Sequence, residues 1–72
     1  MYRDDWYYFT HAVFLRLSSR IIQKHKDCTV NINKIEMIDF EYNRIFLESG
    51  NIISDIHDDD WKQLISKCGF RQ

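Results

Sequence analysis

No proline interrupts this chain of 72 residues, and glycine stands only at positions 50 and 69. The residues that most often end helices and strands are nearly absent, so each turn signal that does occur carries weight. Linkers, repeats and low-complexity stretches are not visible, which points to one compact unit spanning residues 1–72. A core in so short a domain supplies only about 3–5 kcal/mol, and chains of this size often add a disulfide, a metal or a second subunit.

The first of the long uninterrupted stretches runs from Asp5 to His25. It is too long for a single strand and lacks the Gly or Asn that a tight hairpin favours, which makes a helix the economical reading. Trp6, Phe9, Val13, Leu17 and Ile21 recur at helical spacing, Asp4 or Asp5 can cap the first turn, and Lys24, His25 and Lys26 suit its negative end. A strand over Ala12–Ser18 competes with it, because Val13, Leu15 and Leu17 alternate with Phe14, Arg16 and Ser18.

Beyond it the pattern shortens. Cys28, Val30 and Ile32 alternate with Thr29, Asn31 and Asn33, as in a half-buried strand over 27–33. After a bend at Asn33-Lys34, Ile35–Phe40 reads as extended, Glu41-Tyr42-Asn43 as a turn, and Arg44–Glu48 as the next strand. Ser49-Gly50-Asn51 is a hairpin turn in which Gly50 supplies a positive φ, and Ile52–His57 follows as a strand. Trp61, Leu64, Ile65 and Cys68 then fall at i, i+3, i+4 and i+7 of a helix that Gly69 stops, with Phe70 folding back on the last turn. The expected fold is α+β: an N-terminal helix or strand, an antiparallel meander of three to four strands, and a short C-terminal helix.

Apolar residues make up 44% and aromatic residues 15%, enough for a packed core. The net charge of −1 conceals an asymmetry: residues 1–34 hold six Lys/Arg against three Asp/Glu, and residues 35–72 hold four against eight. A dipolar chain of this kind can favour self-association or a charged partner. Residues 1–10 lack the cationic start and apolar run of a signal peptide, and no apolar run approaches the roughly 20 residues that span a bilayer, so a soluble cytoplasmic protein is expected. Cys28 and Cys68 show neither C-x-x-C nor zinc-ligand spacing and fit reduced, partly buried thiols.

Candidate chemistry is sparse. His57-Asp58-Asp59-Asp60 combines imidazole with carboxylates, but consecutive residues at a helix start point in different directions and suit capping better than a metal. His11, His25, Cys28 and Cys68 are a legitimate zinc set by type, yet nothing in their spacing demands convergence. With no glycine-rich turn for an oxyanion hole or a phosphate, and little room for a cleft, no enzyme, cofactor, metal or small-molecule substrate is expected.

Two binding readings are left. Trp6, Tyr7, Tyr8 and Phe9 would surround a helix and cannot all face one core, so together with Phe14 they are candidate partner-binding residues, most simply at a homodimer seam or on another protein. Arg16, Arg20 and Lys24 recur every fourth residue and would form a basic helical stripe, extended by His25 and Lys26, that suits phosphate. The size also fits a small inhibitor or accessory protein of a phage or mobile element.

The stretch from His25 to Asp39, with Val30-Asn31 and Ile35 inside it, followed by Arg44–Gly50, resembles the central part of the LytTR-type DNA-binding domain over about a third of the chain. That family leads from a histidine and a Val-Asn pair, through an isoleucine, into a hairpin closed at a glycine. The resemblance implies a β-rich scaffold and a DNA-binding role, with His25 and Asn31 as contact positions. It departs from the family where basic residues usually follow the last strand, since His57-Asp58-Asp59-Asp60 stands there, and at Asp27, where a serine is common.

Overall fold

Among the described residues, the N-terminal third of the chain is built from strands. In the computed structural model, which describes residues 5–17 and 21–69, β1 spans Trp6–Tyr8, β2 Val13–Arg16 and β3 Ile22–His25. The helix expected over this region does not form. The alternation read over Ala12–Ser18 is the pattern that prevails, in the shorter strand β2. The backbone bends at Thr10 and His11, whose amides donate to the side chain of Asp60. An amide held by a remote carboxylate cannot also bond a carbonyl four residues back, so local helical periodicity loses to a tertiary contact.

The remaining elements are β4 (Thr29–Asn31), a 3-10 turn (Ile32–Lys34), β5 (Ile35–Asp39), β6 (Arg44–Leu47), β7 (Ile52–Ser54) and α1 (Asp58–Cys68). The coarse class is α+β, with two antiparallel sheets and a C-terminal helix. β5, β6 and β7 form the expected meander, but the sheet grows to five strands in the order β3-β2-β7-β6-β5 as the β2–β3 hairpin pairs onto β7. β4 does not join it, and instead pairs with β1 in a two-stranded ribbon with Tyr7 opposite Val30.

Turns follow local chemistry. The Asn31 side chain accepts the Asn33 amide at 2.9 Å and opens the 3-10 turn, matching the bend read at Asn33-Lys34. Asp39 accepts the amides of Glu41 and Tyr42 and pairs with Arg44 at 2.6 Å, which closes the β5–β6 hairpin. Gly50, at φ 95°, turns β6 into β7. Strand β7 stops three residues short of the expected His57, because Asp55 takes φ 55°. Asp27 and Asn43 make the same left-handed excursion, which Asp and Asn tolerate better than other side chains.

The core lies between one face of the five-stranded sheet, the inner face of the ribbon and α1. Val13, Ile45 and Ile53 from the sheet, Tyr7 and Val30 from the ribbon, and Leu64 from the helix form one buried cluster with Phe9 and Ile56. The helix stripe read from the sequence is the buried one: Leu64 and Ile65 are enclosed, and Trp61 and Cys68 pack at the margin. Gly69 ends α1 at φ 88°, its amide bonding back to Ile65 and Ser66. The Asp4 cap and the return of Phe70 lie outside the described residues.

Candidate functional site

The five aromatic residues expected on a partner surface divide among three places. Tyr7 and Phe9 are buried and meet edge to face at 5.1 Å, so they belong to the core. A strand sends alternate side chains to opposite faces, and the pattern exposed, buried, exposed along β1 leaves Trp6 and Tyr8 outside, 43% and 62% exposed. Phe14 lies half-buried on the solvent face of the larger sheet.

Beside Trp6 runs an open groove of about 580 Å³, lined by Val30, Asn31, Lys34, Leu47 and Glu48 among others. β4 forms one side of it and the end of β6 the other. Among the described residues β4 pairs with β1 alone. The outer edge of β1 is occupied differently, since Lys67 of α1 donates to the Trp6 carbonyl at 2.7 Å.

The basic residues also regroup. Cross-strand register places Phe14 opposite Lys24 and Arg16 opposite both Ile22 and Ile52, on the face away from the core. Phe46 is opposite Ile52, and Arg44, two residues earlier, shares that face with its guanidinium 5.5 Å from the Phe46 ring and 5.1 Å from that of Tyr42. Arg16 and Lys24 therefore do share a surface, but that of a sheet. His25 is opposite Val13 and so turns to the other face, Lys26 sits in the turn after β3, and Asn31 is on the ribbon holding the 3-10 turn. Arg20 lies outside the described residues.

Asp60 is a cluster centre that sequence reasoning missed. Its side chain is 0% exposed, and it accepts from the Tyr7 hydroxyl (2.8 Å), the Thr10 amide (3.0 Å), the Thr10 hydroxyl (2.8 Å) and the His11 amide (2.9 Å). Burial pushes its carboxyl up, and the hydrogen bonds from Thr10, Tyr7 and His11 more than reverse this, holding it at about 2. Burial, then the bond to Asp60, pushes the Tyr7 hydroxyl up. Read locally, Asp60 is one of three acidic residues in a helical first turn. Its partners lie about fifty positions away, and no spacing rule reaches that far.

The start of α1 is capped by His57, whose Nδ1 accepts the Asp59 amide at 3.1 Å, with imidazole in the role that Asp or Ser more often fills. Cys28 and Cys68 are free thiols, each pushed up by burial and so disfavoured as a thiolate. Among the described residues no helix is long and apolar enough to cross a membrane. Fold and surfaces together define a small β-rich α+β domain. No family model, curated protein or solved structure matches the chain.

Proposed function

We propose that this domain is a non-catalytic protein-interaction module whose partner contributes an extended segment to the groove beside Trp6. The observation that carries the reading is the combination at that groove of exposed Trp6, apolar Val30 and Leu47, and a strand, β4, paired along one edge. Extended peptides bind such places by adding main-chain hydrogen bonds to a strand edge while alternate side chains fill apolar hollows. Aromatic residues with a polar atom, as in Trp6 and Tyr8, are the types enriched in protein interfaces. Lys34 and Glu48 at the rim supply both signs of charge for orientation. The protonated thiols and the fully engaged Asp60 support a non-catalytic role.

Panning a peptide-display library on the immobilised domain tests this. Selected peptides with apolar residues at alternate positions should bind the parent at least tenfold more tightly than Trp6→Ala, with the variant still folded by circular dichroism. Equal binding to both proteins overturns the reading. A homodimer in sedimentation that Trp6→Ala dissociates also overturns it, and makes a second copy the occupant.

One observation favours a second reading. The solvent face of the larger sheet carries Phe14, Phe46 and Ile52 among Arg16, Lys24 and Arg44, with Asp39 as their acidic neighbour. Aromatic rings among cations on an open sheet are what single-stranded nucleic acids stack on; the LytTR resemblance implies DNA binding too, but through His25 and Asn31, which lie off this face. Affinity for mixed-sequence oligonucleotides should then fall steeply with salt and drop on Lys24→Glu. Binding that is unmoved by either removes this reading.

A further inference from the structure

We propose that His11, His57 and Asp59 form a binding site for one divalent cation of the zinc class. The three residues come from the loop after β1 and from the start of α1, and each offers a ligand atom within 4.8 Å of the others. All are open to solvent, with side chains 44%, 47% and 69% exposed, so an ion can enter without opening the core.

The tautomer of His11 follows from its neighbours. The Thr10 hydroxyl has one hydrogen, and it goes to Asp60. Toward His11 Nδ1, 3.0 Å away, that oxygen can only accept, and the second neighbour of Nδ1, Asp60 Oδ2 at 3.3 Å, is also an acceptor. Nδ1 therefore carries the proton, and the lone pair of the neutral ring sits on Nε2. A carboxylate on one imidazole nitrogen that orients the other toward a metal is the recurring outer shell of histidine metal sites. Here that carboxylate is buried and held by four further hydrogen bonds, so the support is rigid.

On the opposite side, His57 Nδ1 bears a lone pair, shown by its acceptance of the Asp59 amide, and lies 3.9 Å from Asp59 Oδ2. The His11 and His57 rings stack with centroids 3.7 Å apart and planes within 6°. Parallel rings cannot both hold one ion in plane, so loading turns His57 off the stack and exchanges its cap to Asp59 for a metal bond. Tetrahedral zinc separates its ligand atoms by about 3.3 Å, and rotation of exposed side chains brings ligand atoms that lie within 4.8 Å of one another to that spacing. Two imidazoles with one carboxylate favour zinc, nickel, cobalt or copper over magnesium and calcium, whose sites are built from oxygen. The carboxylates of Asp58, Asp59 and Asp60 offset the positive end of the helix, which would otherwise repel a cation.

The test is calorimetric titration of zinc chloride into the full chain after chelator treatment, with cobalt absorption as a second readout. One zinc per chain is expected, weakened at least tenfold in His11→Ala and in Asp59→Asn and unchanged in His25→Ala. His57→Asn keeps a capping side chain, so loss of zinc in that variant reports ligation rather than unfolding. No saturable binding below about 1 mM zinc overturns the proposal. So does undiminished binding by His11→Ala, or loss of binding in His25→Ala.

Discussion

Asp60 accepts the backbone amide of His11 at 2.9 Å across 49 positions of sequence, and with it the amide of Thr10. Those two amides are the ones an N-terminal helix would need for its own ladder. By taking them, a residue on the first turn of α1 turns the chain after β1, sends β2 into the larger sheet, and places Tyr7 in the core under its own hydroxyl bond to the same carboxylate.

Replacing that carboxylate should therefore be costly. Asp60→Asn keeps the shape but turns two N–H hydrogens toward a cluster of donors, and breaking a buried, hydrogen-bonded charge costs about 3–5 kcal/mol, comparable to the whole stability of a domain this small. A largely unfolded amide spectrum by NMR is expected. Tyr7→Phe removes a single bond to a charged acceptor and should cost about 1.5–3 kcal/mol in denaturant titration while leaving the fold intact.

Acid should unfold the domain in a defined window. Asp60 is held at about 2 against an ordinary 3.8, and Asp39 is lowered as well, chiefly by its hydrogen bond to Arg44. Depressed carboxyls bind more protons in the unfolded chain, so the stability they confer is fully present above about pH 4 and is lost as pH falls toward 2. Denaturant midpoints measured in chelator should be flat from pH 7 to 5 and decline below 4. A midpoint unchanged at pH 2.5 would contradict the assignment.

Trp6 and Phe9 share one helical stripe and the same partner-binding expectation in the sequence, but their substitutions should separate. Phe9→Ala empties a buried site and should cost about 3–5 kcal/mol. Trp6→Ala and Tyr8→Ala, on the outer face of β1, should each cost under about 1 kcal/mol, read by thermal melts.

The helix stop at Gly69 should be sensitive to backbone rather than to space. A methyl group there meets nothing within 4 Å, yet φ is 88°. Gly69→Ala should lower stability by about 1 kcal/mol, a fall of about 4–8 °C in Tm. An unchanged Tm would show that the chain ends α1 by another route.

Cys28 and Cys68 should react slowly with a thiol-specific disulfide reagent at pH 7 and at the full rate in denaturant, because burial pushes both thiols up. Rapid reaction of both in the folded chain would contradict their placement.

Periodicity and turn chemistry by themselves determined the C-terminal half. The stripe through Leu64 and Ile65, the glycine turns at 50 and 69, and the β5–β6–β7 meander arise from contacts within a few residues, which sequence spacing records directly. The Cys28, Val30 and Ile32 face was legible as well, though not that its partner would be β1. What only the tertiary structure decided is the N-terminal half and both candidate surfaces. Trp6, Phe9, Val13 and Leu17 follow helical spacing while Val13, Leu15 and Leu17 alternate as in a strand, and the choice fell to the remote carboxylate of Asp60. The same non-local register set which aromatics face outward, joined Arg16 to Lys24 across a sheet, and brought His11 against His57. A linear pattern encodes which face a residue takes once its element is known, but it carries no record of which distant group will claim its backbone.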